Sequence, residues 1–164
     1  MASRPSRSPS PGKGPRYKFL VSACLAGVDC TYNGKSNPQP AIKKLFMAGD
    51  CMLVCPEIMG GLPVPRSRME ISGGDGLAVL RKKARVITAD GRDVTEECVR
   101  GAKIIANLAK RYGIRQAILK SKSPCCGKGH IYDGTFSGTL KRGDGILTSA
   151  LISSGVKVCS ETSY

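Results

Sequence analysis

Three cysteines of this chain each follow a short apolar run that is typical of a β-strand. The cysteines are Cys24, Cys55 and Cys126, and the runs are residues 19–21, 52–54 and 117–119. In an open α/β sheet the carboxyl ends of the strands share one edge, and ligands bind at that edge. Three thiolates from distant segments would therefore meet, which suits a metal ion or an iron–sulfur cluster with one coordination position left open for chemistry.

The loops that hold these cysteines are rich in glycine and proline. They comprise residues 22–30, 55–66 and 121–127. Glycine lets a bulky cluster approach the backbone, whose amides can then donate hydrogen bonds to its sulfides. These features favour a metal or iron–sulfur site over unrelated free thiols, and both zinc and iron–sulfur stay open. His130 is the only histidine, which excludes a histidine-based catalytic triad and an all-histidine zinc site.

The elements that must position these loops alternate along the chain. The patterns predict strands at 18–23, 51–54, 85–88, 116–120 and 156–159, helices at 40–48, 94–111 and 144–154, and an irregular loop at 55–71. This alternation predicts an α/β fold, a single three-layer, Rossmann-like domain whose mainly parallel sheet is flanked by helices. Cys98 belongs to a buried stripe of the 94–111 helix and is predicted to be core packing. The stripe consists of Val94, Cys98, Ala102, Ile105, Leu108 and Tyr112.

Length and composition predict one globular domain with a short tail. Residues 1–16 are rich in Pro, Ser and Arg and are predicted to form a disordered basic tail, and residues 17–164 form the single domain. No apolar run is long enough for a membrane span, and no secretory signal is visible. Eight cysteines without an export signal indicate a reducing compartment, here the cytoplasm. Organellar targeting by the tail stays open.

The net charge of +14 arises from 26 basic and 12 acidic residues. Such a balance can favour nucleic acids. However, the chain has five Tyr, three Phe and no Trp, and no basic–aromatic stacking pattern repeats along it. We therefore interpret the charge as a basic solvated surface and do not expect nucleic-acid binding.

The three cysteine loops resemble the motifs of a small bacterial-type family labelled domain of unknown function 523, whose characterised members include thiouracil desulfidase. The matching string begins with Cys55-Pro56-Glu57 and continues through residues 60–66, Gly-Gly-Leu-Pro-Val-Pro-Arg. Residues 132–138 and 143–146 also match, so the resemblance covers about residues 18–161. The chain departs from the family at Cys125, where a serine is typical.

The resemblance implies a [4Fe–4S] cluster held by Cys24, Cys55 and Cys126, with the fourth iron open to the sulfur of a substrate. In the implied reaction this iron polarises a thiocarbonyl bond, water attacks the carbon, and sulfide leaves without a net redox change. The substrate would be a small thiocarbonyl compound such as thiouracil. Residues 17–164 would then be a cluster-binding, desulfidase-like domain, an enzyme acting on a carbon–sulfur bond.

Two residues beside the implied ligands are candidates for acid/base catalysis. Glu57 lies two residues after Cys55, and Ser123 lies three residues before Cys126. Glu57 could move a proton at the cluster, or it could anchor a loop amide or an arginine such as Arg66. Ser123 could polarise substrate or water, or it could cap a turn.

The roles of two further cysteines are left open by the sequence. Cys125 could replace Cys126 as a ligand, accept sulfur, or have no role. Cys30 could be a fourth ligand, a redox-sensitive neighbour or a buried thiol.

Alternatives to the enzyme are a non-catalytic cluster carrier or metal-binding module and, from the charge alone, a nucleic-acid-binding module. The sulfide acceptor is not identified by the sequence, and a monomer and a homodimer are both compatible with it.

Overall fold

The described part of the chain alternates strands and helices. The structure is a computed structural model that describes residues 17–164, so the predicted tail at residues 1–16 lies outside the described residues. The strands are β1 (Phe19–Ser22), β2 (Cys51–Val54), β3 (Met69–Ser72), β4 (Arg85–Thr88), β5 (Gln116–Leu119), β6 (His130–Tyr132), β7 (Leu140–Arg142) and β8 (Lys157–Ser160). The helices are α1 (Pro40–Met47), α2 (Pro56–Met59), α3 (Gly76–Leu80), α4 (Thr95–Tyr112) and α5 (Ile146–Ser153), with a 3₁₀ turn at Ala23–Ala26. Within residues 17–164, none of the helices combines the length and the apolar character needed to cross a membrane.

Four strands form one parallel sheet in the order β2-β1-β5-β8. Strand β1 is internal, because Leu20 pairs with Met52 on one side and with Ala117 on the other. All three pairings are parallel, so the strands end at the same edge of the sheet. The strand order reverses at β1, and such a switch point opens a crevice beyond the strand ends. The segments that follow β1, β2 and β5 therefore emerge side by side, as the cysteine spacing predicts.

Both faces of this sheet are covered. Leu20 faces one core cluster, which it shares with Ile105 of α4 and Leu147 of α5. The next residue along β1, Val21, faces a second cluster with Ile42 of α1. Alternate residues of a strand point to opposite faces, so one strand supplies both clusters. The predicted three-layer α/β arrangement is confirmed.

The prediction of an irregular loop from Cys55 to Ile71 is wrong at both ends. Pro56 begins the short helix α2, because proline is tolerated at the first helical position, where its missing amide is not needed. Strand β3 pairs antiparallel with β4, with Glu70 opposite Ile87. The predicted strand β4 is thus confirmed but lies outside the parallel sheet. The antiparallel hairpin of β6 and β7 was not predicted.

Helix α2 packs on α4 with unusually close backbone contact. A Cβ atom built on Gly101 of α4 would lie 1.8 Å from the carbonyl oxygen of Pro56. A Cβ on Gly60 would lie 1.9 Å from the carbonyl oxygen of Glu97. Only glycine fits at these two positions, so this contact fixes the segment that directly follows Cys55.

The predicted stripe of α4 is confirmed except near its C-terminal end. Cys98, Ala102 and Ile105 are each 0% exposed, so Cys98 is core packing as predicted. Tyr112 is instead 37% exposed. At the end of the helix the Tyr112 and Tyr17 rings meet in a T-shaped arrangement, with their centroids 6.0 Å apart.

Candidate functional site

Cys24 lies in the 3₁₀ turn that directly follows β1. The turn ends at Gly27, whose φ of 101° lies in the left-handed region that favours glycine. The Cys24 carbonyl accepts hydrogen bonds from the amides of Gly27 at 3.2 Å and Asn37 at 2.9 Å. The residue is buried. This turn holds the thiol at the carboxyl edge of the sheet.

Cys55 follows β2 and directly precedes α2. Its Sγ donates a hydrogen bond to Glu57 Oε2 at 3.3 Å. Glu57 is only 7% exposed and takes part in no ion pair within residues 17–164. In that part of the chain its carboxylate bonds neither Arg66 nor a loop amide, so the anchoring alternative for Glu57 gains no support. A buried carboxylate therefore touches one of the sulfur atoms predicted to be a ligand.

The loop that carries Cys126 is docked on the N-terminus of α5. The amides of Ile146 and Leu147 donate to the carbonyls of Pro124 and Cys125 at 3.0 and 2.8 Å. The hydroxyl of Thr148 donates to the Cys126 carbonyl at 2.8 Å. The first amides of a helix have no partner inside the helix, so the loop satisfies them and is itself held rigid.

Ser123 supports the same loop through its side chain. Its Oγ accepts hydrogen bonds from the amides of Cys125 and Cys126, both at 3.2 Å. This is the turn-capping role that the sequence left open. The hydroxyl hydrogen is not used in these two bonds and can still be donated, because a serine hydroxyl is both donor and acceptor.

Cys125 and Cys126 are adjacent but occupy different surroundings. Cys125 is 0% exposed and lies in the same core cluster as Cys98, with whose thiol it interacts. Cys98 Sγ lies 3.7 Å from Met69 Sδ. Cys126 faces the cavity described below, near the Ser22 hydroxyl. This arrangement favours Cys126 over Cys125 as the ligand and leaves Cys125 in the core.

Cys30 brings a fourth thiol to the site. It is 3% exposed, and its thiol interacts with the thiols of both Cys24 and Cys55. Arg66 Nη2 donates to the Cys30 carbonyl at 3.0 Å and holds this segment in place. From sequence, the available signal was that Cys30 shares the Gly27 loop with Cys24.

The surroundings of the thiols raise their pKa values. Contact with the Cys24 thiol, partly offset by the Cys55 thiol, and burial raise the pKa of Cys30 to about 11. Hydrogen bonding to Cys30 and burial raise the pKa of Cys55 strongly. Burial and the nearby Glu57 charge raise the pKa of Cys126. Such thiols stay protonated near neutral pH until a cation binds, so metal binding would release protons here.

These side chains line one cavity of about 470 Å³. Its walls include the six residues Cys24, Cys30, Cys55, Glu57, Ser123 and Cys126, together with the basic residues Lys35, Arg66, Arg68, Lys120 and Lys122. A second carboxylate, that of Glu70, lies in the same walls. A cavity of this size accepts a small molecule, and its basic rim favours an anionic group.

The donor set of the cavity fits an iron–sulfur cluster. Its possible ligands are soft thiols, and the single histidine, His130, is not among the lining residues. Within residues 17–164, no three His, Cys, Asp or Glu side chains converge closely enough to hold a single metal ion. Thiols that are spread around a cavity suit a multinuclear cluster, because each thiolate then binds a different iron.

Comparison with known proteins gives matches over most of this chain. The sequence pattern of the 2-thiouracil desulfurase family matches residues 19–163. The uncharacterised protein YbbK of Bacillus subtilis strain 168 is 43% identical over 143 residues, which are 87% of this chain and 95% of that protein. The solved structure of TudS, described as a [4Fe–4S]-dependent thiouracil desulfidase, superposes with a TM-score of 0.78. It shares 39% sequence identity, and the match covers 89% of this chain and 91% of TudS.

Proposed function

Because this chain belongs to the 2-thiouracil desulfurase family, we propose that it removes sulfur from a thiolated pyrimidine, converting thiouracil to uracil and sulfide. The observation that carries this proposal is the meeting of Cys24, Cys55 and Cys126 with the buried Glu57 carboxylate in one cavity. The similarity to TudS, whose description names the same cofactor and substrate, supports it.

We assign the protein ligands of a [4Fe–4S] cluster to Cys24, Cys55 and Cys126. Each lies in a segment that follows a different strand of the parallel sheet, and all three line the same cavity. When bound, the cluster supplies one iron without a protein ligand, a Lewis acid for the thiocarbonyl sulfur. Cys30, whose thiol interacts with those of Cys24 and Cys55, remains an unligated neighbour in this assignment.

Glu57 is the group that moves protons in this scheme. Its Oε2 already accepts a hydrogen bond from Cys55 Sγ, so the carboxylate lies within one bond of a ligand sulfur. With Cys55 as a thiolate ligand, Oε2 would no longer receive the thiol proton and would be able to accept a proton from an attacking water. Glu57 would then return the proton to the departing sulfide.

Ser123 and the basic rim position the reacting groups. The hydrogen bonds from the amides of Cys125 and Cys126 to Ser123 Oγ fix the direction of its hydroxyl group. That hydroxyl is free to donate to substrate or water. Arg66 and Lys122 line the same cavity and would attract an anionic form of the thiopyrimidine. The overall reaction is hydrolytic: water supplies the oxygen of the new carbonyl group, sulfur leaves as sulfide, and no oxidation state changes.

Anaerobic reconstitution tests the proposal. The protein is loaded with iron and sulfide, both are counted, and the holoprotein is incubated with 2-thiouracil while uracil and sulfide are measured. We expect repeated turnovers with equal amounts of the two products. Cys24→Ala and Cys55→Ala should bind no full cluster, whereas Cys51→Ala, at the opposite end of β2, should bind the wild-type amount.

A non-catalytic cluster carrier is the second candidate, because the same thiols would hold a cluster in either case. A carrier would bind the full cluster and pass it to an acceptor protein, and it would release no sulfide from 2-thiouracil. All eight cysteines are free thiols, which suits the reducing cytoplasm that we propose as the location of either activity.

A further inference from the structure

Glu70 is a buried carboxylate that the scheme above does not use. It lies in β3 between Met69 and Ile71, both of which point into the main core cluster. Because alternate strand residues point to opposite faces, the Glu70 side chain leaves the core and enters the wall of the cavity. It is nevertheless only 4% exposed.

One oxygen of this carboxylate accepts two hydrogen bonds from the protein backbone. Glu70 Oε2 accepts hydrogen bonds from the amides of Gly134 at 2.9 Å and Phe136 at 3.1 Å. The loop is pressed closely against β3, since a Cβ on Gly134 would lie 2.6 Å from the Ile71 carbonyl oxygen. Oε2 therefore anchors the loop that follows β6.

The other oxygen is left without a partner. Within residues 17–164, Glu70 Oε1 makes no hydrogen bond, and Glu70 takes part in none of the ion pairs there. Oε1 is also not sealed inside the protein, because the only fully buried unpaired side-chain atom in that part of the chain is Arg66 Nε. A buried carboxylate oxygen without a hydrogen bond is energetically unfavourable. A ligand in the cavity that donates a hydrogen bond to Oε1 would therefore be stabilised.

We infer that Glu70 Oε1 accepts a hydrogen bond from a ring N–H of the thiopyrimidine. The inference rests on the proposed function, because it concerns the same cavity. The thione form of a thiolated pyrimidine carries a ring N–H beside the thiocarbonyl carbon, which is the donor that Oε1 lacks. Tyr132 lines the same cavity and provides aromatic surface for a flat ring.

This contact makes the site specific for heterocycles that keep the ring N–H. A site that is built to hydrogen-bond an N–H rejects an analogue without it, because the buried acceptor is then left unpaired. Glu70 is therefore a substrate-binding residue that selects among thiocarbonyl compounds, whereas Glu57 acts on protons.

Glu70→Gln separates recognition from loop anchoring. The glutamine oxygen would take the place of Oε2, because only an oxygen can accept the two hydrogen bonds that the loop amides donate. Its NH₂ group would then stand at the position of Oε1 and oppose the ring N–H of the ligand. Asp144→Asn is the matched control, since Asp144 Oδ1 also accepts a loop amide, from Gly129 at 2.7 Å, and lies outside the cavity walls.

The experiment measures binding of uracil, 1-methyluracil and 3-methyluracil to the reconstituted holoprotein by titration calorimetry. Uracil carries the same ring N–H groups as thiouracil and is not consumed. We expect the uracil Kd to rise about 10- to 100-fold in Glu70→Gln, the range of a hydrogen bond to a charged group. The Kd should change less than about 2-fold in Asp144→Asn, and both variants should keep the wild-type Tm and iron content. For one of the two methyl isomers, the effect of Glu70→Gln should largely disappear.

An unchanged uracil Kd in Glu70→Gln, or no measurable uracil binding by the wild-type holoprotein, overturns the inference. So does an equal effect of the substitution on all three ligands. Sulfide release is measured separately. Glu70-dependent uracil binding without sulfide release would reject the proposed reaction and keep the recognition role, whereas sulfide release with an unchanged uracil Kd would do the reverse.

Discussion

Three of the four cavity cysteines are buried like the cysteines of the core, but their surroundings differ, and the fourth, Cys55, is only partly buried. Cys24, Cys30 and Cys126 are 7%, 3% and 4% exposed, and Cys98 and Cys125 are each 0% exposed. Cys30 interacts with the thiols of Cys24 and Cys55, and the Glu57 carboxylate and the Ser22 hydroxyl lie near Cys126. In the core, Cys125 interacts with Cys98, whose Sγ lies 3.7 Å from Met69 Sδ. Burial alone therefore does not identify a ligand cysteine, whereas polar neighbours do.

The difference originates in the backbone. Cys24 and Cys55 lie in the turns that follow β1 and β2, and Cys30 and Cys126 lie farther along the loops that follow β1 and β5. Cys98 lies inside a helix, and the loop of Cys125 is held by α5 with its thiol turned inward. The contrast is sharpest between Cys125 and Cys126, which are neighbours in the chain.

This contrast is tested most strongly by Cys126→Ala and Cys125→Ala in parallel. Cys126→Ala should abolish cluster binding and sulfide release, because it removes one of the three proposed ligands. Cys125→Ala should keep the wild-type iron content and lose about 1 kcal/mol of unfolding free energy to a small core cavity. Analysis of iron and acid-labile sulfide, together with denaturant unfolding, checks both results. If only Cys125→Ala lost the cluster, Cys125 would be the ligand and Cys126 would not.

Glu57→Gln tests whether the carboxylate beside the cavity thiols does chemistry. We expect kcat for 2-thiouracil to fall about 10²- to 10⁴-fold at unchanged iron content, the usual contribution of a general acid/base. Asp50→Asn, a surface carboxylate paired with Lys18 at the other end of β2, should leave kcat unchanged. A normal kcat in Glu57→Gln would assign proton transfer to another group.

Gly101→Ala tests whether the packing of α2 on α4 holds Cys55 in place at the cavity. The added methyl group would meet the Pro56 carbonyl oxygen and push α2 away from α4. We expect a loss of about 1–3 kcal/mol in unfolding free energy, typical of overpacking, and weaker cluster retention because Cys55 directly precedes α2. Lys103→Ala, at an exposed position of the same helix, should change stability by less than about 0.5 kcal/mol. Wild-type iron retention in a destabilised Gly101→Ala variant would show that the Cys55 loop is positioned independently of α4.

Cys30→Ser should have the smallest effect on the cluster. Although the Cys30 thiol lies beside those of Cys24 and Cys55, the three proposed ligands remain in this variant, so iron content and the visible absorption of the cluster should match the wild type. Loss of iron would instead make Cys30 a ligand and remove the open coordination position. Metal analysis of the purified, reconstituted variant distinguishes the two results.

Much of the fold could be predicted because hydrophobic periodicity is strong where a strand or helix lies against the core. Strands β1, β2 and β5 and helices α1 and α4 follow from such patterns, and so does the assignment of Cys98 to the core. Helix α2 and strand β3 were missed because the proline- and glycine-rich stretch that contains them indicates a loop. That error also hid Glu70, whose alternation with Met69 and Ile71 has meaning only once β3 is known to be a strand.

The sequence by itself determined the α/β architecture, the family, and the three cysteines at strand ends, because these depend on local periodicity and on motifs that are continuous in the chain. The tertiary structure alone decided which side of the backbone each thiol faces, that Cys30 lies beside Cys24 and Cys55, and that Cys125 turns inward. It also decided that Glu57 touches Cys55 and that Glu70 enters the cavity with one oxygen free. These facts depend on the direction in which each side chain points within the folded chain, and local sequence propensity does not specify that direction.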